Sequence, residues 1–351
     1  MKKYSFFLMI ALIITSCSNL SEQELQETTS SGVVLIQEQS FYEMELSNGS
    51  TMYFTELDEE GDISGLTFDK DSIERKISYG TGFFISQNGE IATNAHVVSN
   101  ITNDKDVKKS MSNILKALKK VISSLHKETE EKLEQAQIAY DYANYSDEVS
   151  YDDFYKIRDI RDAIQEELQE YANLYNQLDD IDANESEITY HNEVSIAYNN
   201  THVTNLKDFI PCVVTKTDPE HDLAIIQLKD KKTPTDKYVF VVPENDPLEE
   251  YSFMDKMKED KNSKLFMSSF NLGPSLALTK EGIISQFNSG AISQKTTDRI
   301  MYSIPTLPGS SGSPVINHQG ELVAVNFAGL NGTQNFNYGV RIKFLQELIN
   351  K

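Results

Sequence analysis

The sequence predicts a mainly β protein that is interrupted by one long helical hairpin. Short apolar or alternating segments, separated by turn residues, recur over residues 32–101 and 191–350, as is typical of antiparallel strands. Residues 90–210 contain neither glycine nor proline, the residues that most often break helices. Within that stretch, apolar residues recur at alternating steps of four and three, which favours two helices that pack against each other.

The helical stretch carries two apolar series. Val107, Met111, Ile114, Leu118, Val121 and Leu125 predict a heptad seam, and Phe154, Ile157, Ile160, Ile164, Leu168, Tyr171, Tyr175 and Leu178 predict its partner. We expect a coiled-coil insertion over residues 102–190, with helices of roughly 40 and 30 residues and a turn near residues 146–148. Self-packing alone would account for the pattern; binding of a protein partner or self-association through the arm 104–189 is the alternative.

Composition limits the choice of partners. The 351 residues carry a formal net charge of −22. A surface this acidic argues against nucleic acid as a partner, and it is also what a merely well-solvated protein would show. Cys17 and Cys212 are the only cysteines, too few for a disulfide framework, and the apolar neighbours of Cys212 predict a small core residue.

The first residues have the pattern of a secretory signal. Two lysines precede an apolar run, Phe6 to Ile14, that is too short to cross a membrane, and Thr15-Ser16-Cys17 follows. This end resembles a bacterial lipoprotein cleavage box. The resemblance implies a signal peptide over residues 1–16, lipidation of Cys17 and a membrane-bound position in the bacterial cell envelope, at the outer membrane or the outer face of a membrane. An ordinary signal peptide with an incidental cysteine is the alternative. Residues 17–31 are expected to be a flexible lipidated tether.

Three segments supply the residue types of nucleophilic catalysis. Ser311 lies in the glycine-rich loop Pro308–Pro314, which would expose a hydroxyl that needs a base to become nucleophilic. His96 ends a strand that follows an Asn-Gly hairpin turn, and Asp222 precedes the apolar run Leu223–Ile226. Taken singly, such a histidine is more often a hydrogen-bonded structural group, and such an aspartate is more often a turn cap.

Together these segments resemble the trypsin-like serine endopeptidases, and within them the bacterial Deg/HtrA branch. The resemblance rests on Gly80-x-Gly-Phe-x-Ile, Thr93-Asn94-Ala95-His96-Val97-Val98, Asp222-Leu-Ala-Ile-Ile and Gly309-Ser-Ser-Gly312, in that order. It implies a chymotrypsin-like fold of two six-stranded antiparallel β-barrels, with the helical hairpin inserted in the first. Residues 32–101 and 191–242 would form the first barrel, and residues 243–351 the second barrel and a last helix. No peptide-binding module is expected after that helix.

The resemblance also assigns roles. His96 would take the proton of Ser311, and Asp222 would orient His96. The oxyanion hole would consist of backbone amides of Gly309, Ser310 and Ser311. The substrate-binding residues would be Pro305, Thr306, Asn326, Phe327, Ala328 and Gly329. Because the pocket positions carry no charge, a small or medium apolar substrate side chain is expected. No metal or cofactor is expected.

The sequence therefore predicts a membrane-anchored, extracytoplasmic serine endopeptidase that acts on protein or peptide substrates. A non-catalytic adaptor, with a protease-like body that presents the helical arm to a partner, is the first alternative. A purely structural envelope lipoprotein is the second.

Overall fold

A computed structural model describes residues 20–58, 60–99, 103–203, 208–249, 264–329 and 336–351. The predicted signal peptide and Cys17 lie outside these ranges. The chain divides into two units, one of residues 1–38, 78–99 and 193–351, the other of residues 39–77 and 100–192. Within the described ranges, no helix has the length and the apolar character needed to cross a membrane.

The strands follow one another in this order: β1 Val33–Glu45, β2 Thr51–Phe54, β3 Glu56–Leu57, β4 Ile63–Ser64, β5 Lys76–Phe84, β6 Glu90–Thr93, β7 Glu187–Tyr198, β8 Ile210–Asp218, β9 Leu223–Leu228, β10 Lys264–Ser269, β11 Leu278–Thr279, β12 Gly282–Ile283, β13 Gln286–Lys295, β14 Arg299–Tyr302, β15 Pro314–Ile316, β16 Leu322–Gly329 and β17 Asn337–Arg341.

Two six-stranded barrels form the first unit. The first barrel runs β1-β5-β6-β9-β8-β7 and closes because β7 also pairs with β1; the second runs β10-β13-β14-β17-β16-β15. Apolar runs are buried on both faces of their strands. In β9, Leu223 and Ile225 belong to one apolar cluster, and Ala224 and Ile226 belong to another. The buried run of β16 is likewise divided, with Val323 and Ala324 in one cluster and Val325 in another. The predicted chymotrypsin-like architecture of two barrels is therefore confirmed.

The prediction of a flexible tether over residues 17–31 is wrong for its described part. Helix α1, Glu22–Thr29, begins at Ser21, whose side chain and that of Glu24 form a reciprocal capping box. Leu25 of this helix is fully buried in the same apolar cluster as Val33 and Phe240. A single leucine inserted into a core outweighs the polar character of the surrounding residues, which is what suggested a tether.

The predicted helical hairpin is confirmed in the second unit. Helix α2 spans Asp104–Tyr145, 42 residues, and α3 spans Tyr151–Asp179, 29 residues. Asn103 and Ser150 cap them by accepting hydrogen bonds from backbone amides of the first turns. The Lys119 ammonium lies 2.8 Å from the Asp179 carboxylate across the pair, so the start of α2 is level with the end of α3, as in an antiparallel hairpin.

The predicted heptad seam is displaced by one residue over most of its length. Val107 and Met111 are buried as expected, but the seam then continues through Leu115, Ile122 and Thr129. The predicted seam residues Leu118, Val121 and Leu125 are exposed. Since one residue turns a helix by about 100°, the packed face and the most apolar face of α2 are neighbours rather than the same face.

Residues 39–77, which the sequence assigned to the first barrel, supply the outer half of β1 and the start of β5 to that barrel. These residues are nevertheless grouped with the unit that contains the helical hairpin. Tyr42 and Phe54 stack at a ring-centroid distance of 4.7 Å. These residues share an apolar cluster with Val107, Met111 and Leu115 of α2. This cluster, at the base of the hairpin, is why the outer half of β1 and all of β2 group with the arm.

A last helix, Ile342–Asn350, follows β17 as predicted.

Candidate active site

His96 and Asp222 form a close pair at the ends of two neighbouring strands. β6 pairs with β9, so Thr93 lies opposite Ala224 and the residues just beyond them converge. His96 Nδ1 lies 2.7 Å from Asp222 Oδ2, and the His96 backbone N–H donates to Asp222 Oδ1 at 2.9 Å. The carboxylate thus holds both the ring and the backbone of His96. Both side chains are about a quarter to a third exposed, so the ring remains accessible.

Asp222 adopts a backbone conformation that few non-glycine residues favour, with φ 53°. Such strain costs on the order of 1–3 kcal/mol and persists only where the surroundings enforce it. The Asn94 side-chain amide does so by donating to the Asp222 carbonyl at 2.8 Å. Asn94 is fully buried, and sequence reasoning assigned it no role. Its position two residues before His96 was the available signal.

The neighbouring His221 forms a separate pair. Its Nδ1 lies 3.1 Å from Asp218 Oδ2, and its ring stacks on Phe344 with centroids 3.8 Å apart. Burial raises the pKa of Asp218, but hydrogen bonds from His221 outweigh burial and leave the pKa below its usual value. His221 therefore faces away from the His96 site, as the strand alternation predicts.

The loop that carries Ser311 is held against the first barrel. Thr81 of β5 donates its backbone N–H to the Ser311 carbonyl at 2.8 Å, and its hydroxyl donates to the Gly309 carbonyl at 2.7 Å. Gly312 has φ 85°, and a Cβ there would lie 2.2 Å from the hydroxyl oxygen of Thr93. Because Thr93 is three residues before His96, these contacts bring the Ser311 loop beside the end of β6. Sequence reasoning missed Thr81, although its place between two glycines of a strand marks a close backbone approach.

The Ser311 hydroxyl is partly exposed and donates to the Phe327 carbonyl at 3.3 Å. Of the three amides predicted for the oxyanion hole, the Ser310 N–H is excluded, because it donates to the Leu307 carbonyl at 3.0 Å. Among the described residues, the amides of Gly309 and Ser311 have no such acceptor. Gly309 has φ 96°, a backbone conformation that glycine adopts without strain. The amides of Gly309 and Ser311 therefore stay the predicted donors of the oxyanion hole.

Asn326 is a support for the Ser311 loop and not the substrate-binding residue that was predicted. Its side chain is 1% exposed. Its amide donates to the Ser310 carbonyl at 2.8 Å, and its oxygen accepts from the buried Tyr302 hydroxyl at 2.6 Å. Ser313, also fully buried, donates its hydroxyl to the same Ser310 carbonyl at 2.7 Å. This network holds the loop from below by neutral hydrogen bonds.

The other predicted pocket residues are placed as follows. Phe327 lies beside Ser311 through the hydrogen bond to its carbonyl, and β16 carries Ala328 and Gly329 onward. The Thr306 hydroxyl donates to the Asn337 side chain at 2.6 Å, while Pro305 is exposed. Phe327, Ala328 and Gly329 remain predicted substrate contacts at the end of β16, whereas the Thr306 hydroxyl is hydrogen-bonded within the protein.

Residues 182–325 match the model of the trypsin-like peptidase domain. The match includes Asp222 and Ser311 and begins just after α3, so the helical insertion separates His96 from the matched stretch. No curated protein matches the chain in sequence.

Among solved structures, the chain is similar to the serine endoprotease from Yersinia pestis. The TM-score is 0.45 at 11% sequence identity, and the alignment covers 94% of this chain and 66% of that chain. It is similar as well to the HtrA-type protease AlgW with a tripeptide. There the TM-score is 0.44 at 11% identity, with coverage of 94% and 63%. The chain thus spans about two thirds of the length of these two proteins.

Proposed function

We propose that this protein is a serine endopeptidase that hydrolyses peptide bonds through His96, Asp222 and Ser311. The observation that supports it most directly is the His96–Asp222 pair, with contacts of 2.7 and 2.9 Å, beside a serine loop that offers two backbone amides. The trypsin-like peptidase match over residues 182–325 supports the same class of reaction.

In the proposed mechanism, the Asp222 carboxylate accepts a hydrogen bond from the Nδ1–H of His96. The proton stays on Nδ1, so Nε2 carries a lone pair and can act as a base. The Ser311 hydroxyl turns from the Phe327 carbonyl toward Nε2, loses its proton to it and attacks the scissile carbonyl carbon. The amides of Gly309 and Ser311 stabilise the oxyanion. His96 then protonates the departing amine, and water, deprotonated by His96, hydrolyses the acyl-enzyme to release the acid and restore the serine.

An extended substrate would pair with the end of β16 that follows the Ser311 loop. The pairing of β16 with β15 stops at Val325, whereas its pairing with β17 continues to Gly329. On the side that β15 leaves free, the backbone of residues 327–329 could add one strand of substrate to the sheet. Protein or peptide substrates follow from this geometry. A small or medium apolar residue before the scissile bond stays the expectation, since none of the residues assigned to the pocket carries a charge.

The proposed location is the bacterial cell envelope, with the protein held on a membrane by lipid on Cys17. Support comes from the sequence of the first 17 residues: two lysines, an apolar run and small residues before a cysteine. Because α1 docks on the first unit through Leu25, the segment between the lipid and the folded unit would be at most a few residues.

Labelling with a fluorophosphonate tests the enzyme proposal. The wild-type chain should form a covalent adduct at Ser311, and Ser311→Ala should abolish it. Ser123→Ala, which removes an exposed serine of α2, is the matched control and should label like wild type. Equal labelling of wild type and Ser311→Ala would leave the non-catalytic adaptor as the better reading.

A further inference from the structure

Helix α1 lies alongside strand β10, and both elements start at the same end of the second barrel. The Glu22 carboxylate in the first turn of α1 forms an ion pair with the Lys264 ammonium at the start of β10. Just past the other end of the helix, the Ser30 hydroxyl lies 3.4 Å from the Ser268 hydroxyl of β10. A helix rises about 1.5 Å per residue and a strand about 3.4 Å, so residues 22–30 and 264–268 cover nearly the same length. The start of α1 is therefore fixed at the Lys264 end of β10.

The Ser311 loop lies at the opposite end of β10. Phe270 directly follows the strand, and its backbone N–H donates to the Thr81 hydroxyl at 3.0 Å. That hydroxyl in turn donates to the carbonyl of Gly309, in the Ser311 loop, at 2.7 Å. Lys264 and Phe270 are six residues apart along an extended chain, so the start of α1 and the Ser311 loop lie about 20 Å apart, at opposite ends of β10.

Strand β15 gives the same placement independently. It leaves the Ser311 loop, runs antiparallel to β10 and leads to a turn at residues 317–321. A Cβ on Gly320 of that turn would lie 3.5 Å from the Leu25 side chain of α1. Helix α1 therefore packs on the turn that lies at the far end of β15 from Ser311.

Helix α1 is firmly docked on the first unit. Leu25 is fully buried. The Asn199 side-chain amide donates to the Ser30 carbonyl at 2.8 Å, and the Tyr238 backbone N–H donates to the Ser31 hydroxyl at 3.0 Å. With its middle buried and its end hydrogen-bonded to two other segments, the helix moves with the unit and is not a flexible arm.

The tether from a lipid on Cys17 to this helix is short. The four residue steps from Cys17 to Ser21 extend at most about 14 Å, less than the length of β10. A lipid on Cys17 would therefore hold the bilayer at the start of α1. The exposed side of α1 carries Gln23, Glu24 and Glu27, and the helix has no basic residue. Because anionic lipid repels such a surface, α1 does not lie flat on the bilayer.

We propose that the first unit stands on its membrane on the start of α1 and the turn at residues 317–321, with Ser311 at the opposite end. This inference rests on the proposed lipid on Cys17, and it deepens the proposed peptidase function by restricting the substrates. A peptide bond that reaches Ser311 must stand about 20 Å or more from the lipid surface, because that is the length over which β10 separates the two ends. The substrates are therefore loops, tails or domains that project from the bilayer, and not segments at the level of the lipid headgroups.

Energy transfer to labelled lipid tests the orientation, because the chain contains no tryptophan and a single introduced one is a unique donor. Glu321→Trp places the donor in the turn beside α1, and Leu272→Trp places it two residues beyond Phe270, at the Ser311 end. Both positions are exposed. The full lipidated chains are reconstituted into vesicles that contain dansyl-labelled lipid. Transfer from Glu321→Trp should be severalfold greater than transfer from Leu272→Trp, and Gln23→Trp should transfer at least as much as Glu321→Trp.

The outcomes separate the orientation from the anchoring. Adding Cys17→Ser should abolish transfer from all three donors, since nothing then holds the chain on the vesicles. Lipidated chains that bind the vesicles but transfer from Leu272→Trp as strongly as from Glu321→Trp would overturn the orientation and leave the anchoring intact. Chains that carry no lipid and stay in solution would show that the proposed anchoring is wrong, and this inference would fall with it. Fluorophosphonate labelling of the same chains in solution reports on the peptidase proposal separately.

Discussion

The substitution Asp222→Asn tests the role of the His96–Asp222 pair most sharply. The carboxylate accepts two hydrogen bonds from the same residue, from the backbone N–H at 2.9 Å and from Nδ1 at 2.7 Å. An asparagine has one accepting end. If its oxygen keeps the backbone bond, its NH2 faces Nδ1, which moves the ring proton to Nε2 and removes the base that Ser311 needs.

The opposite amide orientation keeps the Nδ1 bond but sets the NH2 against the His96 backbone N–H. Two donors facing each other in a partly buried site cost about 1–3 kcal/mol. The tautomer-reversed form is therefore favoured. Loss of the orienting carboxylate from such a triad lowers turnover about 10⁴-fold, equivalent to about 5.4 kcal/mol in the activation free energy.

The assay is the rate of fluorophosphonate labelling, corrected for the folded fraction by circular dichroism. Asp218→Asn is a matched control, since it removes the carboxylate of the second aspartate–histidine pair, Asp218–His221, at a contact of 3.1 Å. It should label within about twofold of wild type, because that pair faces Phe344 and takes no part in the transition state. Wild-type labelling by Asp222→Asn, or an equal loss in Asp218→Asn, would refute the assigned roles.

Two further predictions concern buried groups. Asn326→Asp should lower the free energy of unfolding by about 3 kcal/mol or more at pH 7. A carboxylate at this position would be 1% exposed and could not donate the hydrogen bond that the Asn326 amide gives to the Ser310 carbonyl. Urea unfolding measures the loss of stability, and a loss that did not shrink toward pH 4 would contradict a charge effect. Burial raises the pKa of Cys212 from 9.0 to about 12. Its stabilising contribution is therefore complete below about pH 9, where the unfolded thiol is also protonated, and is lost as the pH rises toward 12, at about 1.4 kcal/mol per pH unit. Urea unfolding between pH 8 and 11 should show a shallower loss for Cys212→Ala than for wild type, whereas parallel curves would show that this thiol is not responsible.

Local patterns in the sequence were enough to find the elements of this protein. Asn88-Gly89 between apolar runs predicted the hairpin of β5 and β6. The stretch without glycine or proline predicted two helices with a turn near residues 146–148, and α2 ends at Tyr145 while α3 begins after its N-cap Ser150. The residue types His, Asp and Ser at strand ends predicted the candidate site, and the structure brings His96 and Asp222 into contact. Such features depend on a few neighbouring residues, so they can be read without knowing what packs on them.

Packing partners were decided only by the tertiary structure. Leu25 was predicted to lie in a polar tether, but it is buried in an apolar cluster of the first unit. Asn326 was predicted to contact substrate, but its side chain is hydrogen-bonded to Tyr302 and Ser310. The heptad pattern showed that α2 has an apolar stripe, but not which of two adjacent stripes α3 covers. Which residues are apolar, able to cap a helix or reactive follows from their chemical type alone. The folded chain decided what each of them faces, because burial and hydrogen bonding depend on residues that are distant in sequence.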